Sequence, residues 1–364
     1  MENKHKFPYE WNLKDAIFTK DKGKVFSCFA CGGGSTMGYK LAGFDVIGCN
    51  EIDPKMIEAY KINHNPKFAF LEPIQTFKLR TDLPEELYNL DILDGSPPCS
   101  SFSMAGNREK DWGKEKKFRE GQAEQILDNL FFDFIDLAKK LQPKIVVAEN
   151  VAGLMMGAAK EYVMKIYTAF QKAGYQLRIE PYLLDASTMG VPQRRRRVFF
   201  IALRNDLAGP FMDQIDMFQV APKLELQFNE KEIPFKNIDD INEVIAEVKM
   251  YPSYLICWEK CKEGCGFNTV HHKGMLHNSS KVDRNKVLPT IAAHRDGGSY
   301  HWKHPRALTK IENCKAGSFP LDYNFLNLKS KYLVGMSVPP VMVAQIATEI
   351  SNQWLTKIKM QLTE

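Results

Sequence analysis

Three segments of the chain carry side chains that could perform nucleophilic and acid–base chemistry. Cys99 directly follows Pro97 and Pro98, Glu149 ends an apolar run, and residues 194–197 are four consecutive arginines. A thiolate can add to an electron-poor carbon, a carboxyl group can donate or accept a proton, and a guanidinium can hold a carbonyl oxygen. Taken singly, each segment is more often structural: a buried thiol, a solvated acid or a basic loop.

A glycine-rich segment near the N-terminus indicates a ligand-binding turn. Phe29-Ala30-Cys31-Gly32-Gly33-Gly34 follows an apolar run and precedes a helical pattern. Glycines let the backbone turn tightly and let a ligand approach it, and the N-terminus of the next helix suits a carboxylate or phosphate. Glu51 follows a second apolar run, where an acid commonly binds ribose hydroxyls. These residues alone fit a nicotinamide site as well as a methyl-donor site, and also a turn without a ligand.

The apolar pattern predicts the elements that must position these groups. Short apolar runs alternate with segments of helical spacing, and helices are predicted over 126–141 and 160–173. The predicted strands are 25–29, 46–49, 90–93, 145–148 and 198–202. This alternation predicts an α/β fold with a doubly wound, mostly parallel sheet. Ligands bind beyond the carboxyl ends of such strands, which is where Glu51, Cys99 and Glu149 fall.

The alternating pattern ends near Asn205, which predicts a second domain. Residues 206–330 are expected to form a smaller, irregular domain that is rich in loops. Residues 1–205 and 331–364 are expected to form the catalytic and cofactor-binding domain, because a helical pattern returns after Tyr332. The small domain would then be an insertion into the large one.

The composition is that of an ordinary globular protein. The chain of 364 residues is 44% hydrophobic and 26% charged, and its net charge of +5 permits a polyanionic partner without requiring one. The first eleven residues lack the apolar segment of a signal peptide, and no apolar run approaches the roughly 18–20 residues of a membrane span. We therefore expect a cytoplasmic protein with free thiols.

Together, these motifs resemble those of the cytosine carbon-5 DNA methyltransferases, the modification methylases of bacteria and phages. Each motif is weak alone, but their order and distances are specific to this family. The resemblance covers about residues 23–204 and 287–356. The matching segments are the Phe29 glycine turn, Glu51, Pro97-Pro98-Cys99, Glu149-Asn150-Val151, Gln193 to Arg197, Pro305 to Thr309, Glu312, Phe319-Pro320, and Gly335 to Pro340.

The resemblance implies methylation of a cytosine that has been flipped out of double-stranded DNA. Cys99 would add to carbon 6, which makes carbon 5 nucleophilic toward the methyl donor, and would leave once carbon 5 has lost its proton. Glu149, as a protonated or hydrogen-bonding carboxyl group in a dry pocket, would contact ring nitrogen 3. Arg195 would hold the carbonyl oxygen at position 2 and favour the thiolate, and Arg197 would face the same site.

The resemblance also implies S-adenosyl-L-methionine as the cofactor, with S-adenosyl-L-homocysteine as the product. Phe29 would stack on the adenine and Glu51 would bind the ribose. The other implied cofactor residues are Gly33, Gly34, Ile52, Pro98, Leu130, Ser337 and Val338. The segment from Ser100 to Gln122 resembles the family's mobile loop over the flipped base, and its lysines suit DNA phosphates.

Three positions depart from the family's pattern, and all concern the cofactor. Cys31 stands where the family usually has the first glycine of the turn, and Pro73 stands where an acid usually meets the adenine amino group. Met336 replaces the asparagine that usually precedes the Ser337-Val338 pair. These departures motivate one alternative, a DNA-binding homologue that has lost activity. The other alternative is the same chemistry on transfer RNA, although the serine-rich segment after Cys99 favours DNA.

The resemblance implies double-stranded DNA as the partner, with residues 206–330 as the target-recognition domain, and no membrane or metal is expected. A cognate restriction endonuclease encoded nearby would need no direct complex, and the protein is expected to be a monomer. One cluster of thiols and imidazoles suggests zinc by composition: Cys257, Cys261, Cys265, His271 and His272. Its cysteines are separated by three residues each time, without a CxxC pair, and on a helix that spacing makes one face.

Overall fold

The structure, a computed structural model, describes residues 5–98, 129–157, 159–215, 217, 219–240, 250–293 and 298–361. Strands and helices alternate through most of the first two hundred of these residues, as the sequence predicts. The strands are β1 (Lys24–Cys28), β2 (Asp45–Glu51), β3 (Phe68–Leu71), β4 (Ile92–Gly95), β5 (Ile145–Val151), β6 (Tyr175–Gln176), β7 (Tyr182–Asp185), β8 (Gln193–Arg194), β9 (Arg196–Arg204), β10 (Met212–Gln214), β11 (Val220–Pro222), β12 (Ser279–Lys281), β13 (Leu288–Pro289) and β14 (Gly298–Tyr300).

The helices include both of those predicted with the clearest periodicity. They are α1 (Gly34–Leu41), α2 (Pro54–His64), α3 (Ile74–Phe77), α4 (Leu130–Leu141), α5 (Ala159–Lys172), α6 (Asn205–Ala208), α7 (Pro252–Lys260), α8 (Lys310–Ala316), α9 (Ser330–Met336), α10 (Pro340–Ile350) and α11 (Thr356–Gln361), with a π-helical turn at Ser351–Leu355. The helix predicted over 126–141 is α4, and residues 126–128 lie outside the described residues. The helix predicted over 160–173 is α5.

In the described part of the chain, eight strands form one twisted layer that positions the predicted site. Their order is β3-β2-β1-β4-β5-β9-β6, and β7 also pairs with β9. Strands β1 to β5 pair in parallel, whereas β9 is antiparallel to β5 and β6. The strand order reverses between β1 and β4, which makes this the switch point of a doubly wound sheet. The predicted fold class is confirmed, while β6, which has only two residues, and β3 and β7, which have four each, were not predicted.

The apolar core of the sheet depends on two amphipathic helices. Helix α4 buries apolar residues at spacings of three and four, so that Phe131 and Phe134 meet the strands. Helix α5 adds Ile166 and Phe170 to the same cluster. The ring of Phe131 packs edge-on against Phe200 of β9, with centroids 5.3 Å apart. This packing fixes the positions of the strand ends that carry the polar residues.

The chain folds into two compact units. One comprises residues 17–184, 196–227 and 346–364 and contains the eight-stranded sheet except Asp185 at the end of β7, and the other comprises residues 1–16, 185–195 and 228–345. The second unit contains the short parallel pairs β8/β13 and β12/β14 and an aromatic cluster that includes Tyr254, Phe267 and Tyr300. The predicted division at 205 and 331 into catalytic and target-recognition domains concerns function and remains a prediction.

One helical stretch, Ser330–Gln361, is long and apolar enough by composition alone to cross a membrane. The expectation that the chain has no run of this kind was therefore too strict. In the structure, 83% of its most apolar window is buried inside the protein. Its apolar side chains belong to the protein core, as in the core helices of many globular proteins.

Gly95, at the end of β4, offers a test of this packing. A Cβ atom there would lie 2.5 Å from the ring of Phe134, so Gly95→Ala is expected to destabilise the fold by about 1–3 kcal/mol. Denaturant unfolding followed by circular dichroism measures this change. Gly209→Ala is the matched control, because no atom of the described residues lies within 4 Å of its added methyl group. Equal stabilities of the two variants would contradict the packing described here.

Candidate active site

The register of three parallel strands brings the predicted site segments to one edge of the sheet. Gly95 pairs with Cys28 of β1 on one side and with Ala148 of β5 on the other. Phe29 directly follows β1 and Glu149 is the next residue of β5, so they flank the segment that follows β4. That segment contains Pro97 and Pro98, and Pro98 is the last residue described before the gap. Cys99 and the segment from Ser100 to Gln122 lie outside the described residues.

The glycine turn after β1 has an unusual backbone. Phe29 and Cys31 adopt left-handed conformations, with φ of 52° and 50°, and Gly33 has φ of 83°. Non-glycine residues rarely adopt this region, since Cβ crowds the backbone. This conformation explains why the family usually has glycine at the position of Cys31. The side chain of Cys31 is nevertheless accommodated, because it is buried with its Sγ 3.7 Å from Sδ of Met56.

Glu51 is fixed against this turn by backbone amides. Its Oε2 accepts a hydrogen bond from the N–H of Cys31 at 2.7 Å, and its Oε1 accepts from Ile52 and Asp53 at 2.9 Å each. Asp53 in turn caps α2 by accepting from Lys55 N–H. Because three amides hold a buried carboxylate at the end of β2, its orientation is set before any ligand arrives.

His64, the last residue of α2, supports the turn from a second direction. Its Nε2 lies 3.2 Å from the carbonyl oxygen of Gly32, and a Cβ on Gly33 would lie 2.2 Å from the same nitrogen. Burial lowers the pKa of His64 to about 3, so the ring is neutral and its N–H donates to the carbonyl. Gly33 is therefore required both for its positive φ and for this close approach.

These features fit a nucleoside cofactor with an amino-acid tail. The acid at the end of β2 can accept from ribose hydroxyls, and Gly33 at the N-cap of α1 has no side chain to cover the amides of the first turn. Phe29 lies beside the site with its ring 6.3 Å from that of Phe134. Ile52 is partly buried next to Glu51, and Gly34 is the first residue of α1.

The segment after β4 is held by Asn150. Its Nδ2 donates to the carbonyl oxygen of Pro97 at 3.0 Å, and its Oδ1 accepts from Val151 N–H at 2.8 Å. Asn150 is almost fully buried, so both bonds are made away from bulk water. The sequence motif around Glu149 included Asn150 but gave it no role, and the structure makes it the residue that anchors the paired prolines.

Glu149 and Arg197 form an ion pair across β5 and β9. Arg197 Nε lies 2.9 Å from Glu149 Oε1, and the two side chains are 15% and 11% exposed. Burial lowers the pKa of Arg197, while Glu149 opposes that effect. That Arg197 faces the site remains a prediction, and in the structure its guanidinium orients Glu149 from β9.

Arg195 and the remaining cofactor residues lie in other surroundings. In the second unit, Arg195 donates to the carbonyl oxygens of Ile291 and Gly335, at 3.2 Å and 3.0 Å. Ser337 and Val338, just after α9, belong to the same unit, and the Ser337 hydroxyl donates to the Leu333 carbonyl. In the sheet unit, Leu130 is buried at the start of α4 and Pro73 is the N-cap of α3.

One cluster of acid and imidazole groups in the second unit has the separation of a metal site. The ligand atoms of Asp239, His301 and Glu312 lie within 4.8 Å of one another. Both nitrogens of the Arg306 fork donate to Glu312, and Asp239 accepts from Trp302 and His301. His301 Nδ1 accepts from backbone amides, so Nε2 carries the proton and cannot ligate a cation. This network is structural, and the cysteines at 257–265 are not part of it.

Comparison with known protein families shows the family to which the chain belongs. The C-5 cytosine-specific DNA methylase family matches the chain over residues 23–352. The chain belongs to this family. The predicted enzyme class, a DNA (cytosine-5-)-methyltransferase, is thereby confirmed, and the family implies methylation that depends on S-adenosyl-L-methionine with DNA as the substrate.

Curated relatives of this methylase are Type II methyltransferases. M.FnuDI of Fusobacterium nucleatum is 36% identical over 184 residues, which is 50% of this chain and 48% of the relative. M.NgoFVII of Neisseria gonorrhoeae is 27% identical over 349 residues, which is 91% of this chain and 87% of the relative. The chain thus spans about half the length of M.FnuDI but most of M.NgoFVII.

Solved structures share the fold of this methylase. A DNA modification methyltransferase encoded within an E. coli prophage aligns with a TM-score of 0.61 and 22% identity, over 90% of this chain and 98% of that chain. DNMT2 of Spodoptera frugiperda aligns with the same TM-score and 19% identity, over 90% and 99% of the two chains. At these identities the likeness supports the fold alone.

The Asn150 contact generates a prediction about turnover. Asn150→Ala would release the Pro97 carbonyl and let the segment before Cys99 move, which is expected to lower kcat about tenfold to hundredfold. Single-turnover methyl transfer measures this loss. Affinity for S-adenosyl-L-homocysteine should change little, because Glu51 and the glycine turn are untouched. An unchanged kcat, or a loss confined to cofactor affinity, would contradict this role for Asn150.

The His64 contact generates a prediction about cofactor affinity. His64→Phe removes the donor to Gly32 but keeps a ring of similar size, and should weaken binding of S-adenosyl-L-homocysteine about tenfold. His64→Gln retains an N–H donor and should recover part of the affinity. Since the His64 pKa of about 3 keeps the ring neutral, the effect should be constant at pH values above about 5. Calorimetry tests this, and equal affinity in wild type and His64→Phe would refute it.

Proposed function

We propose that this methylase transfers a methyl group from S-adenosyl-L-methionine to carbon 5 of a flipped cytosine in a specific sequence of double-stranded DNA. The observation that carries the proposal is the ion pair between Glu149 and Arg197. Glu149 directly follows Ala148, the residue of β5 that pairs with Gly95 at the end of β4. An oriented, buried carboxyl group is thereby next to the segment that leads to Cys99. The family and the glycine turn with Glu51 supply the methyl-donor side of the site.

The residues of this chain divide the chemistry. The Cys99 thiolate adds to carbon 6 of cytosine, and Glu149 supplies a proton or hydrogen bond at nitrogen 3, which relieves the charge that builds up on the ring. Arg197 holds Glu149 through Nε. The electron pair then available at carbon 5 takes the methyl group, carbon 5 loses its proton to a base, and Cys99 leaves. Arg195 is assigned to the carbonyl oxygen at position 2 from its motif.

The bound cofactor supplies an electrophilic methyl group on sulfur. Glu51 would accept from its ribose, Phe29 would stack on its adenine, and the first turn of α1 would bind its carboxylate. The supporting residues are Gly33, Gly34, Ile52, Pro98 and Leu130, together with Ser337 and Val338, which are assigned from their motif. The three departures from the family leave the Glu51 contacts intact, which favours an active enzyme over an inactive homologue.

The biological role we propose is protection of host DNA as part of a restriction-modification system. Its Type II methyltransferase relatives support this role. Residues 206–330 would then supply target recognition, and the protein would act as a cytoplasmic monomer on DNA. A phage-borne or stand-alone methylase would use the same site.

Expression in a host that lacks cytosine methylation tests the proposed function. Wild type is expected to leave 5-methylcytosine in one fixed sequence, which bisulfite sequencing identifies. Cys99→Ala should lose all methylation yet retain DNA binding in a gel-shift assay, because the thiol contributes to bond formation alone. Glu149→Gln should lower the rate by about 10²–10⁴.

Three outcomes would contradict the proposal. Full methylation by Cys99→Ala would exclude a covalent cysteine adduct. Transfer of labelled methyl groups to transfer RNA, with none to DNA, would assign the same chemistry to a different nucleic acid. Absence of S-adenosyl-L-homocysteine binding would support the inactive homologue instead.

A further inference from the structure

Asp94 is a buried acid that the reaction described above does not use. It lies in β4, directly before Gly95, and is 3% exposed. Its Oδ2 accepts from the Ser27 hydroxyl at 2.8 Å, and its Oδ1 accepts from the Tyr39 hydroxyl at 3.2 Å. Ser35 also donates a side-chain hydrogen bond to it. Three hydroxyls thus converge on one carboxyl group.

These hydroxyls come from the two elements that enclose the glycine turn. Ser27 lies in β1, two residues before Phe29, while Ser35 and Tyr39 lie in α1, whose N-cap is Gly33. Asp94 itself lies in the strand that leads to Pro97 and Pro98. The carboxyl group therefore links the strand before the turn, the helix after it and the strand of the catalytic segment.

We propose that Asp94 is a positioning residue for the cofactor, whose ionised carboxylate holds β1 and α1 in the arrangement that binds S-adenosyl-L-methionine. This inference rests on the proposed function, because it assigns the glycine turn to that cofactor. An ionised carboxylate accepts all three hydroxyls, and bonds to a charged acceptor are about twice as strong as neutral ones. A protonated carboxyl must itself donate, which removes acceptor capacity from the set.

Asp94 changes its charge state near neutral pH. The pKa of Asp94 is raised to about 7, chiefly by burial and in part by the charge of Glu149, while the bonds from Ser27, Tyr39 and Ser35 oppose the rise. Among the described residues, the titratable groups that interact with Asp94 are Cys28 of β1, Tyr39 of α1 and Glu149 of β5. Burial raises the pKa values of Cys28 and Tyr39 well above their usual range. Glu149 is paired with Arg197 from β9.

Two opposite pH dependences follow. Cofactor affinity should rise as pH increases through about 7, because the ionised form is the one that holds the three hydroxyls. The stability of the cofactor-free protein should fall as pH rises from the usual aspartate pKa of about 4 to the raised pKa of about 7 in the fold, and then level off, because the unfolded state releases this proton more easily. A residue with only a structural role would change the pH dependence of stability without changing that of cofactor affinity.

The experiment measures S-adenosyl-L-homocysteine affinity by calorimetry and the thermal midpoint of the ligand-free protein, both between about pH 5 and pH 9. Asp94→Asn keeps the shape of the side chain and removes its titration. It is expected to flatten both profiles and to bind the ligand about tenfold more weakly at high pH, through loss of charge-assisted bonds. Any pH dependence that Asp94→Asn retains belongs to the ligand or to other groups.

Neighbouring variants should move the midpoint of the affinity profile in opposite directions. Ser27→Ala and Tyr39→Phe remove bonds that favour the carboxylate, so the midpoint should rise. Glu149→Gln removes a negative charge that disfavours the ionised form of Asp94, so the midpoint should fall. Asp91→Asn is the matched control: Asp91 accepts from Lys24 N–H and pairs with Lys144, so the variant should alter stability but leave the affinity profile unchanged.

The results separate this inference from the function on which it rests. If wild type binds the ligand and Asp94→Asn follows the same pH profile, the positioning role is wrong while the proposed function stands. Midpoints that do not move in Ser27→Ala, Tyr39→Phe and Glu149→Gln would also overturn the role. If wild type does not bind S-adenosyl-L-homocysteine at any pH, the proposed function fails and this inference fails with it.

Discussion

The site of this methylase depends on the parallel pairing of β4 with β1 on one side and β5 on the other. Because the carboxyl ends of parallel strands lie at the same edge of a sheet, this pairing brings three features together there: Phe29, Glu149 and the segment that follows Gly95. Helices α4 and α5 hold the strands in this arrangement by packing on them through the aromatic core. The glycine turn, the paired prolines and the acid are thus three consequences of one register.

Buried polar groups then fix the details at that edge. Glu51 is held by backbone amides, and His64 and Asn150 hold backbone carbonyls. Burying a polar group costs free energy unless it is hydrogen-bonded, so each of these side chains is confined to the orientation that satisfies it. A site of this kind is rigid on the cofactor side before any ligand binds, which reduces the entropy lost on binding.

The departures from the family's pattern have local physical accounts in two cases. Cys31 occupies a left-handed position that glycine would adopt without strain, but its side chain is buried against Met56 and its amide still binds Glu51. Pro73 caps α3, where its fixed φ is compatible with the start of a helix. Nothing in the structure explains Met336 in place of asparagine.

The sequence by itself determined the fold class, the family and the order of the motifs, because these depend on apolar periodicity and on residue types at fixed distances. The strands that carry Glu51, Glu149 and Arg197 and the helices α4 and α5 were predicted for that reason. Tertiary structure alone decided that Arg197 holds Glu149, that Asn150 holds Pro97 and that His64 and Asp94 act on the glycine turn. Each of these contacts joins residues that are 30 to 70 positions apart in the chain. Each also depends on the direction of a side chain, and local sequence patterns carry no information about either.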